Sequence, residues 1–225
     1  MHKQGLNLEN LHRIRSQLPS HVRLLAVTKK VDVEAMRAAY NEGIRDFAEN
    51  RLQEALTKQE QLQDFPDISW HFIGHLQTNK AKKVLQHFTW IHSCDNLKLA
   101  QRLNRLAGEL SINPKILLQV KILQDLNKYG WDQDALWNDL SVLNQCENLH
   151  IRGLMTILPL GLSESSILDA FEQTSALARK IEQQNWSNLK MQQLSMGMSG
   201  DYHLAVAAGA TMVRLGRAIF GERPK

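Results

Sequence analysis

The stretch HVRLLAVTKK, residues 21–30, decides the fold class of this chain. It is a nearly continuous apolar run, as a strand buried on both faces of a parallel sheet requires. The next segment, DVEAMRAAYNEG (residues 32–43), has apolar residues at helical spacing, with Asp32 placed to cap the helix and Gly43 near its end. A buried strand followed at once by a helix predicts the first unit of an alternating α/β fold.

The same alternation continues to the end of the chain. Seven further strand-like segments alternate with helical patterns: RDFAEN (45–50), SWHFIGH (69–75), WIHSCD (90–95), KILLQVKI (115–122), LHIRGLMTIL (149–158), KMQQLSMG (190–197) and TMVRLGRAIFG (211–221). Eight strands without a linker or a repeat period favour a single TIM-type (β/α)8 barrel, and 225 residues suit that size. We therefore predict one domain, residues 1–225, with an extra N-terminal helix from MHKQGLNLENLHRIRSQL (1–18). A doubly wound open sheet is the alternative. It is less favoured, because neither a GxGxxG motif nor a P-loop follows the first strand.

The composition is that of a soluble globular protein, with 43% hydrophobic residues, 22% charged residues and a net charge of +4. No basic run is interleaved with aromatic residues, which predicts no nucleic-acid binding. No apolar run approaches 18 residues, which predicts no membrane span. Cys94 and Cys146 form no CxxC, and the histidines show no metal-ligand spacing, so we expect no disulfide framework and no metal. Together with the absence of an apolar leader, this predicts a cytoplasmic protein.

Lys29 is the first candidate for chemistry, because active groups of such barrels lie at the carboxyl ends of strands. Side chains alternate along a strand, so a Lys29 that points into the barrel mouth implies that Leu25 and Val27 also point inward. Thr28 would then face the helices, and Lys30 would be a surface charge. An amine above an apolar barrel core is partly desolvated, which favours its neutral form for attack on a carbonyl group.

A second candidate site lies near the seventh and eighth strands. The segment SMGMSGD (195–201) has two glycines, which permit a tight turn with converging N–H groups. Ser199 then lies near a helix start, where an anion such as phosphate is favoured. On the eighth strand, Arg214 pointing inward places Met212 and Gly216 inward as well, and the glycine leaves room for a ligand. A buried Arg214 needs an anion, a carboxylate or an acceptor nitrogen as partner.

Taken together, these segments resemble the pyridoxal 5′-phosphate (PLP) homeostasis protein family, also called YggS or PROSC. The motifs that carry the resemblance are LLAVTKK (24–30), DFAENRLQEA (46–55), WHFIGHLQTNK (70–80), IHSCD (91–95), RGLMTILP (152–159), LSMGMSGD (194–201) and MVRLGRAIFG (212–221). They span nearly the whole chain in the same order. The resemblance implies a PLP fold-type III barrel like the N-terminal domain of alanine racemase.

The same resemblance implies the site residues. PLP would form an aldimine on Lys29, and Arg214 would face the pyridine nitrogen. Six further residues would contact the cofactor: Ser199, Gly216 and Arg217 at the phosphate, and Asn50, His71 and Met155 along the ring. Position 217 often carries a small hydroxyl residue in this family, so Arg217 puts a side-chain hydroxyl contact in doubt, although it offers a cation or its backbone N–H. Thr28 stands where serine is common, a change that we expect to matter little.

The function implied is a non-catalytic PLP carrier that buffers vitamin B6 supply and supports amino-acid and keto-acid homeostasis. Its partners would be PLP and apo PLP-dependent enzymes as recipients, and the protein would be a monomer. The alternatives are a PLP-dependent amino-acid racemase of the same barrel class and a lyase that forms a Schiff base with a phosphorylated sugar. A yellow colour on purification separates a PLP protein from the colourless lyase.

Two features favour the carrier over an enzyme. Arg214 is only a hydrogen-bond donor, so it keeps a facing pyridine nitrogen unprotonated, which makes the ring a poor electron sink and disfavours transamination and decarboxylation. Racemisation could still proceed, but it needs a base on each face of the substrate carbon. In alanine racemase the second base is a tyrosine of the partner subunit, positioned through an additional β-domain. We expect that domain to be absent, because this chain ends at GERPK, soon after Phe220.

Overall fold

The structure, a computed structural model, describes residues 5–125 and 128–221. Within them, eight parallel strands follow one another around a closed barrel. In chain order the strands are β1 (Arg23–Val27), β2 (Asp46–Glu49), β3 (Ser69–Phe72), β4 (Trp90–Cys94), β5 (Lys115–Val120), β6 (His150–Thr156), β7 (Leu189–Ser195) and β8 (Met212–Leu215). β1 pairs with β8 through the register Leu25↔Arg214, which closes the barrel. The predicted (β/α)8 fold is confirmed.

Helices connect the strands and cover the outside of the barrel. They are α1 (Leu8–Gln17), α2 (Val33–Asn41), α3 (Leu52–Gln61), α4 (Ala81–His87), α5 (Leu97–Leu110), α6 (Gln133–Asn144), α7 (Glu164–Glu182), α8 (Tyr202–Ala207) and α9 (Arg217–Phe220). The predicted cap of α2 is confirmed, since Asp32 Oδ1 accepts a hydrogen bond from Ala35 N–H at 2.8 Å. None of these described helices is both long and apolar enough to cross a membrane.

The helix predicted near the N-terminus is confirmed as α1. Asn7 caps it by accepting a hydrogen bond from Asn10 N–H, and Leu11 and Ile14 are buried. The main chain of Asn7 also donates to Ile219 O at 2.8 Å, which ties the start of α1 to α9. The first four residues of the predicted segment, together with residues 126–127 and 222–225 of the predicted domain, lie outside the described residues.

The last predicted strand, TMVRLGRAIFG, is shorter than expected. Its pairing with β1 ends at Ala26↔Leu215, and α9 begins two residues later. The carbonyl of Gly216 accepts hydrogen bonds from the N–H groups of Ile219 and Phe220, at 3.0 and 2.9 Å. These two bonds start a helical turn, so the chain leaves the sheet where the sequence pattern predicted that the strand would continue.

The apolar core has two layers. The larger layer lies between the strands and the helices, and it includes Ala26 of β1. The smaller layer fills the barrel interior and consists of Leu25, Val27, Ala48, Trp90, Leu117, Met155 and Met212. The inward direction predicted for Leu25 and Val27 is therefore confirmed, and the carboxyl ends of the strands form the mouth above this inner layer.

Candidate functional site

Lys29 lies at the carboxyl end of β1, two residues beyond the last strand residue, Val27. Thr28 N–H donates to Ala48 O at 3.0 Å, and Thr28 O accepts from Val31 N–H at 2.8 Å, so the chain turns sharply here. The side chain of Lys29 is half-buried at this turn. The sequence predicted that Lys29 closes the strand, whereas it belongs to the turn that follows.

A buried ion pair holds the residue before Lys29. Thr28 Oγ1 donates to Glu49 Oε1 at 2.6 Å, and Lys58 Nζ donates to the same carboxylate oxygen at 2.7 Å and to Thr28 O at 2.6 Å. Glu49 is fully buried, and its Oε2 has no hydrogen-bond partner among the described residues. Burial raises the pKa of Glu49, although Lys58 and Thr28 oppose the shift. The cluster lies on the helix side of the barrel wall, as predicted for Thr28.

The same cluster holds the residue after Lys29. Lys58 Nζ donates to Glu54 Oε1 at 2.6 Å, and that oxygen accepts the main-chain N–H of Lys30 at 2.5 Å. Lys30 has φ +60°, in the left-handed region that non-glycine residues rarely adopt. Because both chain neighbours of Lys29 are tied to one buried cluster, the backbone that carries the amine has little freedom to move.

Arg214 of β8 is buried in the barrel interior, and neutral oxygens surround its guanidinium. Its Nη1 donates to Ser195 O at 2.6 Å and to Ser195 Oγ at 2.8 Å, and its Nη2 donates to Thr156 O at 2.8 Å. These bonds use three of the five N–H groups of a guanidinium. Burial lowers the pKa of Arg214 to about 10, so the group stays charged at neutral pH. The remaining donors suit an acceptor atom of a ligand.

The loop after β7 and the start of α9 lie next to each other. Ser199 Oγ accepts a hydrogen bond from Ala218 N–H at 3.2 Å, which brings the predicted phosphate residues of both segments together. Gly197 has φ +90°, and a Cβ there would lie 2.6 Å from the Cβ of Ala205. A glycine is therefore required at this turn, whereas a Cβ on Gly200 would meet open space. The arrangement offers a hydroxyl and main-chain N–H groups to an anion.

The other predicted site residues occupy different depths. Met155 belongs to the inner apolar layer, and Asn50 follows β2 at the mouth. Gly74 packs so closely on Asn50 that a Cβ would lie 2.1 Å from its carbonyl oxygen. His71 lies deeper, where its Nε2 contacts Asp46 Oδ1 at 2.8 Å and its Nδ1 contacts His92 Nε2 at 2.9 Å. Both ring nitrogens of His71 are thus already hydrogen-bonded within the protein.

Sequence reasoning missed three polar residues of the barrel interior: Asp46, His92 and the Arg214 partner Ser195. The available signal was strand alternation, because His92 follows inward-pointing Trp90 by two residues and so shares its direction. A polar residue at an inward position of an apolar strand needs a partner, but which partner it meets depends on strands far apart in sequence.

The site fits a ligand with three chemical features. Lys29 offers an amine to a carbonyl group, the Ser199 loop offers donors to an anion, and Arg214 offers donors to an acceptor ring atom. Two buried side-chain atoms, Asn50 Oδ1 and Ser93 Oγ, also lack a hydrogen-bond partner within the described part of the chain. Orphaned polar groups of this kind are expected where a ligand completes the hydrogen bonding. PLP has all three features: an aldehyde, a phosphate and a pyridine nitrogen.

Comparison with known proteins agrees with this fit. The model of the alanine racemase N-terminal domain family matches residues 8–224. A Synechocystis sp. protein named pyridoxal phosphate homeostasis protein is 55% identical over 210 residues, which cover 93% of this chain and 95% of the relative. The chain belongs to the pyridoxal phosphate homeostasis protein family.

One further relative and two solved structures extend the comparison. A Pseudomonas aeruginosa member is 44% identical over 91% of this chain and 86% of its own length. PipY from Synechococcus elongatus PCC7942, solved with PLP bound, has a TM-score of 0.90 at 49% identity and covers 95% of this chain and 99% of its own. Alanine racemase from Clostridium difficile 630 has a TM-score of 0.79 at 16% identity, over 98% of this chain and 59% of its own, and shares the fold.

Proposed function

We propose that this chain binds PLP covalently through Lys29 Nζ and acts as a non-catalytic carrier that buffers PLP for vitamin B6, amino-acid and keto-acid homeostasis. The proposed carrier is a cytoplasmic monomer of one domain, and apo PLP-dependent enzymes receive the cofactor that it releases. The observation that carries the proposal is that Lys29, Arg214 and Ser199, which match the three functional groups of PLP, lie on or just after three neighbouring strands, β1, β8 and β7. Family membership supports the choice of cofactor.

Each residue has a separate task in this proposal. Bound PLP supplies an aldehyde that reacts reversibly with an amine. Lys29 provides that amine from a turn held on both sides by the Glu49–Lys58–Glu54 cluster. Ser199 and the main chain of Gly216 and Arg217 bind the phosphate. Three further residues, Asn50, His71 and Met155, line the ring in this proposal.

Arg214 disfavours transamination and decarboxylation in the proposed carrier. The guanidinium is charged at neutral pH and can only donate hydrogen bonds, so a ring nitrogen that faces it has to stay unprotonated. The hydroxyls of two tyrosines, Tyr40 and Tyr202, contact Asp67 and Gln17. Neither of these two is placed as a second base, which supports a holding role.

The phosphate contact gives the first prediction. Pyridoxal, which lacks the phosphate, should bind far more weakly than PLP in an absorbance titration of the apoprotein. Ser199→Ala should weaken PLP binding by about 1.5–3 kcal/mol, because one hydrogen bond to a charged group is lost while main-chain donors remain. Gly200→Ala is the matched control in the same loop, since its Cβ meets no atom within 4 Å. Equal affinity of the wild type for pyridoxal and PLP would contradict the phosphate site.

The absence of catalysis gives the second prediction. Purified protein loaded with PLP should not racemise common amino acids at an appreciable rate, as measured by chiral chromatography after prolonged incubation. A purified alanine racemase assayed in parallel serves as the positive control. Efficient PLP-dependent racemisation that disappears in Lys29→Ala would replace the carrier function with a racemase function.

A further inference from the structure

The barrel interior contains a continuous chain of hydrogen-bonded side chains, which we call the buried polar chain: Arg214, Ser195, His92, His71 and Asp46. Successive contacts are Arg214 Nη1–Ser195 Oγ at 2.8 Å, Ser195 Oγ–His92 Nδ1 at 2.9 Å, His92 Nε2–His71 Nδ1 at 2.9 Å and His71 Nε2–Asp46 Oδ1 at 2.8 Å. The buried polar chain runs from β8 through β7, β4 and β3 to β2. Asp46, the first residue of β2, is 18% exposed, whereas the other four are buried.

Donor and acceptor chemistry allows one direction along this chain. Asp46 is a carboxylate that can only accept, so His71 donates to it from Nε2. A neutral His71 then accepts at Nδ1 from His92 Nε2–H. A neutral His92 in turn accepts at Nδ1, so the hydroxyl of Ser195 donates to it. Ser195 Oγ accepts from Arg214, which can only donate.

The pKa shifts of His92, His71 and Asp46 agree with this direction. Burial lowers the pKa of His92 well below its ordinary value, and burial also lowers the pKa of His71 despite the opposing hydrogen bond and charge of Asp46. Partial burial acts to raise the pKa of Asp46, but the hydrogen bond from His71 and nearby cations hold it below its ordinary value. At neutral pH the buried polar chain therefore has the cation Arg214 at one end, the carboxylate Asp46 at the other and neutral groups between them.

We infer that Asp46, His71, His92 and Ser195 are positioning residues that fix the guanidinium of Arg214 for a ring nitrogen of the cofactor. The inference rests on the proposed PLP site for the identity of that nitrogen. Every neutral member turns its lone pair toward Arg214 and its hydrogen toward Asp46. The aligned dipoles stabilise the buried cation through four successive bonds, and hydrogen bonds in such a series strengthen one another.

The buried polar chain stabilises the charge of Arg214 and leaves free N–H donors that a direct carboxylate partner would occupy. A carboxylate bound to the guanidinium would occupy two of its donors in a bidentate pair. The buried polar chain instead occupies one donor, at Ser195 Oγ, and its carboxylate, Asp46, is linked to the guanidinium only through the side chains between them. The main-chain oxygens of Ser195 and Thr156 take two further donors and set the direction of the guanidinium. Arg214 thereby keeps its charge and two N–H groups for a ligand.

The direction of the hydrogen bonds in the buried polar chain can be measured without any cofactor. Long-range ¹H–¹⁵N correlation spectra of the apoprotein at pH 7 should show His71 and His92 as neutral rings that both carry the proton on Nε2. Exposed His203 supplies an internal reference for a histidine outside the barrel. A proton on Nδ1 of either buried ring, or a doubly protonated ring, would overturn the inference, whatever the outcome for PLP binding.

The positioning role requires a second measurement, made on protein loaded with PLP that is ¹⁵N-labelled in the ring. Ser195→Ala keeps the carbonyl contact to Arg214 but removes the hydroxyl. We expect PLP affinity to fall about threefold to tenfold, and the ring ¹⁵N shift to move toward that of a nitrogen without a hydrogen bond. Cys94→Ala, a buried change on β4 toward the outer layer, is the control and should leave both unchanged.

Either of two results would overturn the positioning role. If Ser195→Ala has the wild-type affinity and ring shift, the positioning role is wrong. If the wild-type ring nitrogen proves to be protonated, the proposed contact between Arg214 and that nitrogen fails, and the positioning role fails with it. The direction of the chain is judged separately by the apoprotein spectra.

Discussion

Replacement of Lys29 with alanine should abolish the PLP that borohydride fixes to this protein, while the barrel stays folded. The variant loses the amine at the end of β1 but keeps the main-chain contacts of Thr28 and Lys30, which hold the turn. Lys29 belongs to neither apolar layer of the core, so we expect little change in stability. The measurement combines the visible absorption spectrum with mass spectrometry of peptides from the reduced protein.

The matched control for this experiment is Lys30→Asn. It removes the neighbouring amine, and asparagine tolerates the left-handed backbone that Lys30 adopts at φ +60°. The control should retain the adduct, because the side chain of Lys30 is exposed on the other side of the turn. If the Lys29→Ala protein still gives a reduced adduct on an original peptide, another lysine is the attachment site.

Replacement of Lys58 with methionine should destabilise the folded protein by about 3–5 kcal/mol, because it leaves the buried Glu49 carboxylate without its cation. The side chain of Lys58 is 8% exposed and that of Glu49 is fully buried, so water cannot compensate for the loss. Urea unfolding at pH 7 measures the effect. Lys83→Met is the control, since Lys83 is exposed on α4 and its replacement should change stability by at most about 0.5 kcal/mol.

The destabilisation by Lys58→Met should also depend on pH. Burial already raises the pKa of Glu49, and loss of Lys58 removes the main opposing interaction, so the folded variant binds a proton more tightly than the unfolded chain does. The contribution of such a group is fully present below its unfolded pKa and is lost as the pH rises through the folded pKa. The penalty should therefore be larger at pH 8 than at pH 5, and Glu49→Gln added to Lys58→Met should reduce it. A loss of less than about 1 kcal/mol of stability in Lys58→Met at pH 8 would show that the Lys58–Glu49 ion pair contributes little to the stability of the fold.

Much of the barrel could be predicted from short stretches of sequence. Continuous apolar runs such as the one that contains β1 predict buried parallel strands, because a strand covered on both faces has no polar side. Asp32 predicts the start of α2, because its carboxylate bonds to an N–H only three residues away. Where two structures compete for the same residues, as after Gly216, the sequence pattern alone did not separate a continued strand from the short helix α9.

Part of the candidate site could be predicted from the positions of its residues relative to the predicted strands. Lys29, Ser199 and Arg214 were found because barrel chemistry collects at strand ends, and their residue types suit an aldehyde, a phosphate and a ring nitrogen. Their roles toward PLP remain predictions. No sequence pattern indicated that the cluster around Lys58 holds the turn of Lys29. Its contacts join β1, β2 and α3 through lysine and glutamate side chains, which are usually exposed at protein surfaces.

The amino-acid sequence by itself thus determined the alternation of strands and helices, the inward direction of β1 and the chemical types available at the mouth. Local periodicity and capping act over a few residues, so they can be read without knowing the partners. Only the tertiary structure decided that His92 of β4 meets Ser195 of β7, 103 positions away, and that four bonds link Arg214 of β8 to Asp46 of β2. Those contacts exist because barrel closure brings inward residues of non-neighbouring strands into one layer, where buried polar groups have to satisfy one another.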